Sequence, residues 1–210
     1  MKLLVISVVS LFILLVFVAP ASGQSEFLGR DTTGVALLFG YGDNEYTSLM
    51  STSLVAGVRG AANIGASYVV NNPGQESSLK SLAFFAEILP TRLVRSDGHL
   101  LPALIGRLDI YSTPSVLILT FGWSTAYRVD AAPNLRLLPS FAVLRSVIVS
   151  GWGEATDVAF SVGIPIMVRV PSGSGVIVVP TLTSDEETTT YGISLGLLFA
   201  TGKKRQFDDY

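Results

Sequence analysis

The residues best suited to acid–base chemistry surround the single histidine of the chain, His99, in the segment Ser96-Asp97-Gly98-His99. A histidine beside a carboxylate can act as a general base whose orientation is fixed by that neighbour. Asp-Gly, however, is a turn signal, and no Gly-x-Gly-x-x-Gly motif follows a predicted strand. One histidine without any cysteine also excludes the usual metal-ligand spacings. We therefore interpret His99 as a turn residue and expect no catalytic residue, no metal and no cofactor.

The composition excludes several classes of protein. The chain has 210 residues, 49% of them hydrophobic and 14% charged, and such a sequence is not intrinsically disordered. Lys and Arg number 14 against 16 for Asp and Glu, so no basic excess is present to neutralise phosphates and no nucleic-acid partner is expected. The absence of cysteine excludes disulfides and thiol catalysis.

The N-terminal segment has the composition of an export signal. Met1-Lys2 is positively charged, the stretch from Leu3 to Val18 is almost entirely apolar, and small residues follow as far as Gly23. This order is typical of a secretory signal peptide, so we predict a cleavable signal helix at residues 1–23. An uncleaved membrane anchor is the alternative. A single domain at 24–202 and a short periplasmic tail at 203–210 would follow.

The rest of the chain alternates with a period of two residues. From Val158 to Val170 every second residue is a large apolar one, and the residues between them are small or polar except for Met167. Such alternation indicates β-strands with different surroundings on their two faces. Turn signals predict about ten strands, with eight or twelve as alternatives, near 33–42, 50–58, 62–71, 80–90, 100–112, 115–127, 134–146, 156–170, 175–184 and 188–201.

The two faces of these strands differ in an informative way. One carries large aliphatic residues, and the other carries mostly Gly, Ala, Ser and Thr, with few of the Lys and Glu residues that solvate a soluble surface. Large residues facing lipid and small residues facing a narrow lumen account for both faces. We therefore predict an all-β fold, an antiparallel up-and-down transmembrane β-barrel. A soluble secreted barrel that binds a hydrophobic ligand is an alternative.

The pattern resembles the small outer-membrane β-barrel proteins of Gram-negative bacteria, the OmpA/OmpX-like group in the broad sense. The resemblance is carried by the signal peptide, the glycine-rich first strand Gly34–Gly42 and the last strand Thr190–Phe199. It implies location in the outer membrane, contact with its lipid and lipopolysaccharide, and insertion by the barrel-assembly machinery. The last strand is similar to the terminal assembly signal of such families, with Tyr191 and Phe199 as its aromatic residues. Tyr210 is the alternative terminal aromatic residue.

Four charged residues fall on the small-residue face: Glu87, Arg107, Asp109 and Arg169. If the turn between the fourth and fifth strands centres on Asp97, Glu87 lies directly opposite Arg107. We predict that the four form an ion network in the lumen that includes this pair. A network that fills and pins a small barrel is favoured over a conduction pathway.

Five aromatic residues near predicted strand ends suit the girdles that flank a membrane; they are Tyr41, Tyr68, Trp123, Tyr127 and Tyr191. The same residues would also fit a soluble core. For function, the sequence favours an outer-membrane barrel with a structural or surface-interaction role that is not an enzyme. A narrow channel for ions or small solutes is the first alternative, and a lipid-modifying barrel enzyme is a further one. The sequence leaves the oligomeric state open.

Overall fold

The computed structural model describes residues 33–73, 78–90, 99–111, 116–150, 153–170 and 174–201. The predicted signal peptide, the predicted tail and Asp97 lie outside these residues. No helix within the described ranges is long and apolar enough to cross a membrane. The strand segments are β1 (Thr33–Asp43), β2 (Ser48–Val58), β3 (Ala62–Asn71), β4 (Leu79–Ile88), β5 (Leu100–Tyr111), β6 (Val116–Tyr127), β7 (Val129–Ala132), β8 (Leu135–Leu137), β9 (Ser140–Ser150), β10 (Gly153–Gly163), β11 (Ile166–Arg169), β12 (Gly175–Ser184) and β13 (Thr189–Thr201).

These segments form one closed, antiparallel barrel. Strands β1 to β6 pair in chain order, β9 pairs with β6, and β12 pairs with β13. The barrel closes where β13 pairs with β1 along the whole length of β1, from Thr33 opposite Thr201 to Asp43 opposite Tyr191. Three pairs of segments share one register and continue each other, namely β6 with β7, β8 with β9, and β10 with β11. The wall therefore has ten strand positions, which confirms the predicted all-β barrel and its strand number.

The segment bounds follow the prediction closely at β3 and β12, whereas two predicted strands are interrupted. The strand expected at 134–146 consists of β8 and β9, and the strand expected at 156–170 consists of β10 and β11. Pro139 and Pro165 stand at the two breaks and are diagonal neighbours in the wall, because the register places Pro165 opposite Leu138. Proline has no N–H and removes one ladder hydrogen bond wherever it sits in a sheet, which explains both interruptions.

A third proline extends this weak point into the next strand. Pro180 in β12 lies opposite Ile164. Three adjacent strand pairs therefore each contain a proline, which accepts a hydrogen bond at its carbonyl oxygen but has no N–H to donate one. We call this row the proline seam. The hydrogen bonds that remain run from the Tyr127 N–H to Pro139 (2.9 Å), from the Leu138 N–H to Pro165 (2.9 Å) and from the Ile164 N–H to Pro180 (3.2 Å).

The pairing register sets the size of the barrel. A path that follows the paired residues once around the wall returns to β1 about 12 residues from its starting point. With ten strands, this stagger inclines the strands by about 40° to the barrel axis and gives the barrel a radius of about 10 Å. A lumen of this width is too wide for small side chains alone to fill.

The alternation places large apolar side chains on the outer face of the wall. Phe39, Leu54, Leu104, Phe160 and Leu195 each expose about half of their surface. The inward positions between them are mostly small, as in β1, where Gly34, Ala36, Gly40 and Gly42 are buried and Leu38 is the one large residue. The face that a soluble protein would cover with charge is thus the apolar one.

Two glycines in neighbouring strands provide a matched test of this packing. An added Cβ at Gly122 would collide with the backbone carbonyl oxygen of Val143 and lie 3.0 Å from the Cα atom of Leu144, whereas one at Gly106 would meet nothing within 4 Å. We expect Gly122→Ala to lower the free energy of unfolding by about 1–3 kcal/mol, as overpacking does. Gly106→Ala should change it by less than about 0.5 kcal/mol. Urea unfolding of the detergent-folded protein measures both, and equal effects would contradict the packing.

Candidate functional site

An apolar layer crosses the lumen toward the end of the barrel where the described chain begins and ends, which we call the inner end. Leu89, Leu138, Met167, Ile177 and Val179 are fully buried in it. All strand positions except β3 contribute a side chain to this layer. The side chain from β4 packs against the edge of the layer. The remaining members are Ala36, Leu38, Val55, Leu101, Ala103, Ala126 and Leu198, with Phe85 and Ala200 packed against them. Because these inward-facing side chains have almost no surface accessible to water, no open passage is left through the layer.

Beyond this layer, toward the opposite, outer end, the lumen holds polar groups as well as a second buried apolar cluster, formed by Tyr111, Val116, Ile118, Ile148 and Ala159. Arg107 and Asp109 are both on β5 and form a bidentate ion pair, with the Arg107 Nε donating to Asp109 Oδ2 at 2.7 Å and Nη2 donating to Oδ1 at 2.6 Å. Their side chains are only 6% and 3% exposed. Residues two apart in a strand share a face, so this pairing requires no particular register between strands.

The predicted direct opposition of Glu87 and Arg107 is wrong. In the observed register Glu87 lies opposite Ile105, and Arg107 lies opposite Phe85. The two strands are therefore shifted by two residues from a turn centred on Asp97, a shift that keeps every side chain on its predicted face. Glu87 is buried, and its Oε2 accepts a hydrogen bond of 3.4 Å from the Asn63 amide.

Arg169 lies at the inner end of the wall, apart from the Arg107–Asp109 pair. It follows Met167 on β11, and its Nε is 3.4 Å from the Met167 sulfur. A second cluster is nearby, where Asp130 bridges two arginines, at 2.6 Å to Arg136 Nε and 3.3 Å to Arg128 Nε. Arg169 and the Arg107–Asp109 pair thus lie on opposite sides of the apolar layer, and Glu87 lies at its level, between Phe85 and Leu89.

Hydroxyl pairs complete the polar part of the lumen. Three buried pairs join adjacent strands at distances of 2.9 Å: Ser53 with Ser67, Thr120 with Ser146, and Ser161 with Thr183. Each pair satisfies two polar groups that would otherwise be buried alone. These residues bond to each other across strands, so they stabilise the wall.

His99 lies at the start of β5, at the inner end. Its Nδ1–H donates to the backbone carbonyl of Arg128 at 3.1 Å, and its ring stacks on Tyr127 at 5.8 Å between centroids. The Arg128 N–H donates back to the His99 carbonyl. The observed contacts of His99 therefore join two neighbouring strands.

One Gly-x-Ser-x-Gly match, which the sequence interpretation overlooked, spans Gly192–Gly196. A catalytic elbow needs its serine on a sharp turn between a strand and a helix. Ser194 instead lies within β13, paired with Gly40 on one side and Val179 on the other. The match therefore lacks the geometry of a nucleophile elbow.

Two connections at the outer end lie side by side and enclose a recess of about 820 Å³. They are residues 43–48 and 184–189, and the Asn44 side chain joins them by donating to the Thr190 hydroxyl at 3.0 Å. Asp185 shapes the second connection by accepting hydrogen bonds from two backbone N–H groups, those of Glu187 and Thr188. The recess is acidic, lined by Asp43, Glu45, Asp185, Glu186 and Glu187.

The local negative charge affects one tyrosine of the same connections. A hydrogen bond to the Glu45 carboxylate, together with its charge, raises the pKa of Tyr46 above its ordinary value. Tyr46 therefore stays protonated throughout the physiological pH range.

All five aromatic residues predicted for the membrane girdles face outward. Tyr41, Tyr68 and Tyr191 lie near the outer end, Tyr127 is the last residue of β6 at the inner end, and Trp123 lies further inside the wall. Trp123 packs edge-on against Phe141 at 6.1 Å. Phe199 also faces outward, on the strand that closes the barrel. The girdle and assembly roles of these residues stay predictions.

One outward-facing residue that the sequence interpretation missed is Arg145 on β9. The outward positions of that strand are otherwise apolar, and the signal was available in the sequence, because Arg145 interrupts a run of every second residue from Phe141 to Val149.

No protein-family model and no curated protein sequence matches this chain. Several solved structures are similar in shape. They include the KdgM porin in complex with disordered oligogalacturonate (TM-score 0.45, 6% identity, 78% of this chain and 99% of that one). They also include the β-domain of the Bordetella autotransporter BrkA (0.47, 8%, 80% and 98%). A third is the outer-membrane protease OmpT from Escherichia coli (0.34, 10%, 81% and 95%). All three are outer-membrane β-barrels, while the fold of this chain rests on its own strand pairing.

The ion pair on β5 gives a test of the polar lumen. We expect Asp109→Val to lower the free energy of unfolding by about 3–5 kcal/mol, because it leaves the Arg107 charge buried without this partner. The double variant Arg107→Met, Asp109→Val should recover most of that loss, since it removes both charges. Urea unfolding of the four proteins forms a double-mutant cycle. Additive effects of the two single variants, Arg107→Met and Asp109→Val, would contradict the coupling.

Proposed function

We propose that this protein is an integral outer-membrane β-barrel with a structural or surface-interaction role and no catalytic role. The outward apolar face supports the membrane placement, because it surrounds the wall and has no counterpart in a water-facing protein. A closed barrel also leaves no unpaired strand edge, as a spanning sheet requires. With an even number of strands, both termini would face the periplasm, and the acidic recess would face the outside.

The apolar layer in the lumen is the observation that carries the functional proposal. Aqueous channels are lined by polar side chains along their whole length, whereas Leu138, Met167 and Ile177, on three adjacent strand positions, point into the lumen and have no exposed surface. A barrel closed in this way does not conduct solutes, so its activity would reside on its outer connections and its lipid-facing wall. Lipopolysaccharide would surround that wall, and β13, with Tyr191 and Phe199, would be the strand read by the assembly machinery.

A narrow channel is the second candidate, and one observation favours it. At β3 the apolar layer is interrupted by Asn63, which is paired with Glu87. A buried carboxylate within a membrane protein is a common mark of an ion or proton pathway. If this pair formed a path past the layer, conduction would depend on Glu87.

Two arginine substitutions on one strand test the membrane placement. Leu54 lies midway along β2 and Met50 lies near its outer end, and both face outward with about half of their surface exposed. We expect Leu54→Arg to cost about 2–4 kcal/mol of unfolding free energy in lipid vesicles and Met50→Arg about 0–1 kcal/mol. Equal costs would contradict a lipid-facing wall. A shift in mobility between unboiled and boiled samples on SDS gels would confirm that each variant folds.

Conductance across planar lipid bilayers distinguishes the two candidate functions. We expect the wild-type barrel to show no steady current, and the double variant Leu138→Ala, Met167→Ala to conduct, because it removes two side chains that close the lumen. Leu195→Ala, on the outer face, is the control and should stay closed. A wild-type current that Glu87→Gln abolishes would replace the closed-barrel proposal with the channel.

A further inference from the structure

Arg145 occupies a position where a charge is unexpected. It faces outward on β9 and is exposed, with Val143 before it and Val147 after it on the same face of the strand. Its partners across the two neighbouring strands are Phe121 of β6 and Val158 of β10, which are also exposed apolar residues. The four outward positions nearest to Arg145 on these three strands are therefore all apolar.

Nothing in the described part of the chain pairs with Arg145. The buried arginines of the barrel, by contrast, have carboxylate partners, Asp109 for Arg107 and Asp130 for Arg136. An arginine on the lipid face costs about 2–4 kcal/mol at the centre of a bilayer and about 0–1 kcal/mol near its surface. An unpaired guanidinium in this wall is therefore stabilised most by an anion at the membrane surface.

Arg145 lies high enough in the wall for its side chain to reach toward an anion at the membrane surface. Val149, near the outer end of β9, lies about 10 Å further along the barrel axis. Long basic side chains extend along apolar surfaces to place their charge at the membrane surface. On the outer side of Val158, the next outward position of β10 is Thr156, whose exposed side chain adds a hydroxyl group at the level that the guanidinium would reach.

We propose that Arg145, assisted by Thr156, binds the anionic phosphate of a lipid in the outer leaflet. The planar guanidinium donates to a phosphate through two parallel N–H groups, which makes arginine suited to this ligand. The apolar surroundings select a lipid over a soluble anion, because the acyl chains of the same molecule cover the flanking valines. This inference rests on the proposed membrane placement and assigns a lipid site to one part of the wall.

Trp123 provides a reporter beside the site. It faces outward on β6 opposite Val143, the neighbouring outward position to Arg145. In a Trp152→Phe background, Trp123 is the only tryptophan. We would reconstitute this protein into phosphatidylcholine vesicles that contain either brominated phosphatidic acid or brominated phosphatidylcholine, and measure the quenching of Trp123 fluorescence. We expect phosphatidic acid to be preferred about fivefold, and Arg145→Gln to abolish this preference.

The controls separate the possible explanations. Arg145→Lys should keep part of the preference, and Lys80→Gln, which removes an exposed basic residue from β4, should leave it unchanged. If the wild type and Arg145→Gln show the same preference for phosphatidic acid, the proposal is overturned. It is also overturned if inorganic phosphate abolishes the preference of the wild type, because the ligand would then be a soluble anion. If chemical crosslinking yields a dimer of the wild type but not of Arg145→Gln, and the lipid preference is unchanged, the arginine binds a protein partner instead. Absence of quenching by brominated phosphatidylcholine would contradict the membrane placement itself.

Discussion

The structure depends on pairing every strand with two neighbours. In lipid no water is available to satisfy a free N–H or carbonyl group, so a sheet can span a membrane only if its last strand closes on its first. Here β13 meets β1 along the whole length of β1. Pairing is incomplete at the proline seam, where the strands break into β8, β9, β10 and β11. Closure gives the barrel an inner face, which lines the lumen, and an outer face.

The closed barrel determines what each side chain must do. At a radius of about 10 Å the lumen needs more than glycine and alanine to fill it. The chain fills it with aliphatic side chains around Met167 at the inner end, and toward the outer end with ion or hydroxyl pairs such as Arg107–Asp109 and a second apolar cluster around Ile118. Where adjacent strands approach each other closely, as at Gly122 beside Val143, no Cβ fits. The small inward residues that identified the barrel are thus required by its packing.

The sequence was sufficient to predict the faces and the number of strands, because both follow from a period of two and from turn residues. It was insufficient to predict the register between β4 and β5, since the residues of a long connection do not determine where pairing resumes. The error moved Glu87 by two residues and left its face unchanged. The Arg107–Asp109 pair could have been predicted, because residues two apart on one strand need no register. The apolar layer could not, because its members come from nearly every strand.

The distribution of polar groups confines where this protein could act. The inner half of the lumen is closed by apolar contacts, and the Arg107–Asp109 pair is buried against its own strand, so neither region offers a free surface to a solute. The acidic connections at the outer end and the outward wall remain. On that wall the apolar pattern of β9 is broken by Arg145, whose charge has no partner in the described chain. A role exercised through the outer connections and the surrounding lipid is therefore the one that this distribution of charge supports.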